Sequence, residues 1–303
     1  MHMSDALLNP AVGGAFWAAS GGLLAWSAKK VREDEDTFKT PLMAVTAAFV
    51  FAAQMINFSI PGTGSSGHIG GGLLLAALLG PYRAFLALAS VLTVQCLFFA
   101  DGGLLALGCN IFNLAFFPAF IAYPLLFKPL AGPLKNRGRL AAASFIAADA
   151  SLLVGAFSVV LQTVFSGITD LPFRTFAYFM LPVHAATGLM EGLVTFIVLS
   201  FVFRADSSLR IMAPAGKGVA IGFIAAALVV AGAVSKYASG HPDGLEWSVA
   251  KVLGRELIEP EKLPLPSMEY SSWTGIAGSL AVLALAGVIG YIIRRRTRTH
   301  GHV

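Results

Sequence analysis

Charge is what this sequence has least of. Asp, Glu, Lys and Arg make up 12% of its 303 residues, about half the share that coats an ordinary soluble domain. That density cannot cover a water-soluble globule of this size, so a soluble enzyme is excluded. Hydrophobic residues reach 56% and mean hydropathy is +0.76, which excludes intrinsic disorder. Cysteine is nearly absent. Cys96 and Cys109 both lie in apolar runs and offer neither a disulfide framework nor a CxxC metal pair; both read as small packing residues. The sequence has no GxxxxGK[ST] phosphate loop and no HExxH pair, so it carries neither signature of ATP hydrolysis nor of a zinc protease.

What is present is apolar length. A bilayer core requires about 20 mainly apolar residues per helix. Nine stretches answer to that: 10–28, 41–58, 67–81, 84–100, 103–127, 139–165, 175–203, 218–236 and 273–293, the third short and glycine-rich. The expectation is an all-α polytopic membrane protein. With the N-terminus outward, 16 of the 21 Lys and Arg fall in inner loops, and the last cluster is Arg294-Arg295-Arg296. The positive-inside rule then predicts N-out and C-in. The net charge of +5 belongs to those loops, so the lipid bilayer, not nucleic acid, is the expected partner.

The chain divides in two. Residues 1–212 hold seven helices on short loops, residues 213–217 read as a linker, and residues 213–303 form a two-helix hairpin. Its outer loop, about 237–272, carries Glu246, Glu256, Glu259, Glu261 and Glu269 and is broken by Pro260, Pro264 and Pro266, a polar composition that belongs in water.

Among the six histidines, His300 and His302 read as part of a solvated tail. His2 is the most informative. No basic residue precedes the first apolar run, so the opening Met1-His2-Met3-Ser4-Asp5 lacks a signal peptide's n-region, and the bulk of His2 is expected to keep Met1 in place. The Met1 amine, the His2 amide nitrogen and the His2 imidazole Nδ1 then close two chelate rings around one metal. Planar nitrogen sets are what Ni(II) and Cu(II) prefer; the tetrahedral thiolate set of structural zinc is missing.

A fourth donor is His68, inside a stretch with glycines at 62, 64, 67, 70, 71 and 72. At membrane depth such backbone is tolerated only when buried in protein or lining a cavity. Other polar groups in apolar runs are Asp101, Asn110, Asn113, Asp149, His184 and Glu191, each a functional candidate on those grounds. Asp101-Gly102-Gly103 reads as a helix N-cap. Asn110 and Asn113 suit interhelix bonds. His184 and Glu191, seven apart on one helix face, suit the support of metal ligands or an interhelix polar clamp. Asn57 and Ser66 are further supporting candidates. An intramembrane enzyme built on Asp149, His184 and Glu191 finds no nucleophile motif, and a secondary carrier or channel finds no clear inverted repeat.

Several stretches together resemble the substrate-capture (S) component of nickel and cobalt energy-coupling-factor transporters, the NikM/CbiM family. They are Met1–Leu7, Ile60–His68, Asp101–Asn110 and His184–Gly192, and the likeness covers roughly the first 210 residues. The remainder resembles the small accessory N subunit of the same systems, through Pro242-Asp243-Gly244-Leu245-Glu246-Trp247-Ser248. The resemblance implies a seven-helix S-component bundle fused to a two-helix accessory unit whose outer loop aids metal loading or assembly. It implies the substrate-specific component of an ATP-driven importer in the inner (cytoplasmic) membrane of a prokaryote. Ni(II) would be held by Met1, His2 and His68, with Co(II) as the alternative ion. The chain would be no enzyme, with no catalytic residue and no cofactor. Its partners would be a membrane coupling (T) subunit and two cytoplasmic ATPase subunits.

Overall fold

The computed structural model describes residues 1–34, 36, 39–132, 136–205, 217–255 and 268–298. The apolar runs become helices. Asn9 accepts the Val12 N–H and Pro10 takes the first position of α1 (Pro10–Glu33), a start that needs no tertiary help. After α2 (Lys39–Gln54) the chain makes a small antiparallel hairpin, β1 (Phe58–Ile60) and β2 (Ser65–Gly67). Helices α3 (Gly72–Leu79) and α4 (Pro81–Phe99) follow. Next comes one continuous rod: α5 (Leu107–Ile111), a π-helical stretch Phe112–Phe127, and α6 (Lys128–Ala131). Then come α7 (Arg137–Ser166), α8 (Phe173–Ala205), α9 (Lys217–Gly232), α10 (Gly244–Leu253) and α11 (Ser272–Arg298). Among the described residues, five helices are long and apolar enough to cross a membrane: α4, the 107–131 rod, α7, α8 and α11.

Three expectations change. The second apolar run stops being helical at Gln54 rather than 58, because the chain turns there into the hairpin. The third run is helical only from Gly72, over eight residues. Such a helix rises about 12 Å against a core of about 30 Å. Just beyond α3, Arg83 Nη1 meets Asp34 Oδ2 at the end of α1, 2.5 Å away. Third, the outer loop contains a regular helix, α10, which the proline count had hidden. Of the expected linker, 213–216 lie outside the described residues, as do Glu256, Glu259, Pro260, Glu261, Pro264, Pro266, His300 and His302.

The C-terminal helices join the bundle rather than hanging beside it. Helix α11 lies along α2, where a Cβ at Gly275 or Gly278 would collide with Met55 or Phe51; small residues of this kind let apolar helices close on one another. Asn113 and Gln162 exchange two hydrogen bonds, 2.8 and 2.9 Å, and lock the π-helical stretch to α7. Cys96 and Cys109 are free and buried, as packing residues would be.

Candidate metal centre

The first three residues are buried inside the protein. Met1 is 5%, His2 9% and Met3 0% exposed. Asn110 pins the peptide: its Oδ1 accepts the Met3 N–H at 2.8 Å and its Nδ2 donates to the Met3 carbonyl at 3.1 Å. The Met3 carbonyl also accepts the Gly103 N–H. A 3-10 turn, Asp5–Leu7, then leads into Asn9 and α1.

The structure brings the expected ligands together and gives each a partner. The Met1 ammonium donates to Asp243 Oδ2 at 2.8 Å. His2 Nδ1 donates to Asp101 Oδ1 at 2.5 Å. The His2 and His68 rings lie 5.1 Å apart between centroids, tilted by 37°. His68 Nδ1 donates to the Ile69 carbonyl at 3.0 Å. A carbonyl and an ionised carboxylate can only accept, so each ring carries a proton on Nδ1, and in its neutral form keeps the Nε2 lone pair. His2 Nε2 is buried without a hydrogen-bond partner. His184, on α8, is set the same way by the Met180 carbonyl at 2.8 Å.

Two points differ from the sequence reading. Asp101 caps no helix; Asp5 Oδ1 takes the Ala106 N–H instead, and Asp101 serves His2. The Nδ1 that the chelate argument requires is the nitrogen Asp101 holds, so coordination through it demands that the ring leave Asp101.

Charge follows the same geometry. Burial alone would push the Asp101 carboxyl up, but the charge and hydrogen bond of His2, with the Tyr270 hydroxyl, outweigh it and hold it at about 2. Asp243 is likewise pushed up by burial and pulled below the usual carboxylate range by the terminal ammonium. Burial, then the neighbouring terminal ammonium and His2, lower His68 to about 4, so it is neutral and able to ligate at neutral pH.

Supporting residues come from several elements. Tyr270 donates to Asp101 Oδ2 at 2.8 Å and stacks on Phe99. Glu191 Oε2 accepts the Gly70 N–H at 2.7 Å, and Gln54 Nε2 donates to the Gly70 carbonyl at 2.7 Å. Gln95 holds Gln54 in turn. The backbone two residues past His68 is thus clamped from both sides. At Gly67 a Cβ would lie 2.5 Å from Thr187 Oγ1, which requires the glycine. Asn57 and Ser66 turn toward the C-terminal helices: the Asn57 carbonyl accepts the Ser239 N–H, and Ser66 Oγ donates to the His241 carbonyl.

Two spaces meet at this centre. A vestibule of about 450 Å³ is lined by His2, His68, Asp101, Asp243, Glu246 and Tyr270 among others. A second pocket of about 10 Å³, sharing His68 and Asp243 with the first, is lined by Met1, His184, Thr187 and Gly244 among others. Among the described residues, no three His, Cys, Asp or Glu side chains close into a metal shell; a nitrogen cage here needs main-chain or terminal nitrogens.

Glu191→Ala strands the buried Gly70 N–H, a loss of about 1–3 kcal/mol. The expected result is a lower thermal unfolding midpoint in detergent. An unchanged midpoint would show that the clamp contributes nothing.

Residues 2–209 match the family model of the cobalt uptake substrate-specific transmembrane region, CbiM. The chain belongs to the CbiM family. Residues 217–271 match the PDGLE domain, whose five letters stand here as Pro242 to Glu246. A putative fused nickel transport protein NikMN of Archaeoglobus fulgidus is 36% identical over 316 residues, covering 99% of this chain and 100% of its own. A cobalt transport protein CbiM of Sorangium cellulosum is 29% identical over 211 residues, covering 67% of this chain and 91% of its own. A crystal structure of a transition metal transporter is similar with a TM-score of 0.60 and 28% identity, covering 68% of this chain and 94% of that one. This CbiM-family chain is a multi-pass membrane protein, and it joins to its CbiM part a second, PDGLE part.

Proposed function

We propose that this chain is the substrate-specific component of an energy-coupling-factor importer that captures Ni(II) at its N-terminal peptide. The Met1 amine, the His2 amide and imidazole nitrogens, and His68 would form a planar nitrogen site. The observation that carries the reading is the burial of Met1 and His2 beside the half-buried His68, whose ring lies 5.1 Å from that of His2.

In this reading residues 1–212 are the capture unit and 213–303 the accessory unit, oriented N-out and C-in, in the cytoplasmic membrane of a prokaryote. Asn57, Ser66, His184 and Glu191 act around the ligands rather than on the ion. Energy comes from a coupling subunit and two ATPase subunits, since the chain has no phosphate loop of its own. The ion exchanges its water for nitrogen, and the terminal ammonium and the amide release protons as it binds. Co(II) is the second candidate cargo, because relatives are named for both metals.

The test is nickel accumulation in cells that carry this chain with and without the ATPase pair. Accumulation is expected only with them. Uptake that persists in their absence would favour a secondary carrier.

A further inference from the structure

We propose that the turn Pro242-Asp243-Gly244-Leu245-Glu246 is a wall of the metal cage, and that Asp243 is the positioning residue and counter-charge of the Met1 ligand. This deepens the capture reading and rests on it. The turn lies more than 170 residues along the chain from His68, yet each of its members is committed at the site.

The Pro242 carbonyl accepts the Ser66 N–H at 2.8 Å, and residue 243 bridges in parallel to Ser66. The turn is thereby tied to the strand that delivers His68. Asp243 Oδ1 accepts the Leu245 and Glu246 N–H groups, both at 2.8 Å. Glu246 Oε2 returns to the Asp243 N–H at 3.0 Å, which completes a capping box. The carboxylate is therefore fixed in place by its own helix. A cap uses one oxygen; the other, Oδ2, meets the Met1 amine at 2.8 Å. At Gly244 a Cβ would stand 2.6 Å from Val183 Cγ1 and 3.1 Å from His184 Cε1, so only glycine lets the turn seat on α8. Leu245 anchors it, 2% exposed.

Asp243 and His68 line both spaces at this centre. Once the amine is a ligand it still bears N–H groups, and Asp243 Oδ2 remains their acceptor, the usual outer support of a ligating nitrogen. With the His2 amide deprotonated, the loaded site carries one net positive charge, as the ammonium did, and the carboxylate remains its counter-charge. Removing that charge leaves the coordinated amine with a weaker acceptor.

The experiment measures nickel affinity of the full chain in detergent for Asp243→Asn and, as a control acid of the same outer loop that lines neither space, Glu269→Gln, beside a chain with one residue added ahead of Met1. Asparagine keeps the cap, so the fold stays; the metal-free unfolding midpoint of each variant checks this. Asp243→Asn is expected to bind about 10–100-fold more weakly, with shifted d–d absorption of the bound nickel. Glu269→Gln is expected to bind like the parent. The inference is overturned if Asp243→Asn binds like the parent while the extension still abolishes binding. It is equally overturned if Glu269→Gln loses as much as Asp243→Asn, because general loop charge would then account for the effect. If the extended chain also binds normally, the N-terminal capture reading itself falls.

Discussion

One glycine inserted ahead of Met1 should cost nickel affinity more than about 100-fold, beyond the 10–100-fold that follows loss of an outer support. The insertion converts the old amine into a peptide nitrogen and carries the new amine about 3.8 Å away, one residue's step along the chain. The chelate of Met1 amine and His2 amide is replaced by one that runs through an added peptide nitrogen, displaced from Asp243 and from His68. The buried terminus, with Met1 5% and His2 9% exposed, has to shift to seat it. Asp243 also loses the ammonium at 2.8 Å and is left as a half-buried carboxylate without its counter-ion, a costly state. Titration calorimetry in detergent reads the affinity, and intact mass of the parent protein confirms that Met1 is its first residue. Equal affinities for parent and extended chains would end the N-terminal chelate as an explanation.

His68→Ala should be nearly as damaging, because it removes a nitrogen that the fold holds in place with no freedom to spare. Strand β2 and the Gly70 clamp set its backbone, and the Ile69 carbonyl sets its tautomer. Its pH behaviour is distinctive. With a pKa lowered to about 4, His68 is already neutral at pH 5 and adds nothing to the pH slope above it. Affinity should still climb from pH 5 to 8 as the terminal ammonium and the amide give up protons to bind. It should collapse as pH falls through 4, where His68 takes up a proton and loses its lone pair. The His68→Ala protein should therefore keep the slope above pH 5 at a much lower affinity. Should His184→Ala alone destroy binding while His68→Ala spares it, the ion sits elsewhere.

The sequence exposes what depends on short range. Hydrophobic length locates the long helices, Asn9-Pro10 marks the start of α1, and the glycines around His68 mark irregular backbone. The second residue stands out because a chelate is a local object. Partners distant along the chain are hidden. Asp101 looks like an N-cap, since an acidic residue before a helix usually is one; only the fold brings His2 to it. Nothing local indicates that Asp243 would reach Met1, although the capping box Asp243–Glu246 was readable as the start of a helix. Proline and glutamate counts along 237–272 concealed α10, because composition over a long window averages away a helix of ten residues. The eight-residue α3 was drawn too long for a related reason: an apolar run does not reveal where helix gives way to extended strip.

The small space beside His68 bears on selectivity in the proposed capture. At about 10 Å³ it has room for about one water, so a cation lodged there has given up most of its shell. Magnesium yields its hydration reluctantly and seeks octahedral oxygen, which disfavours it at a nitrogen site. In this reading, sorting of abundant from scarce cations begins at dehydration.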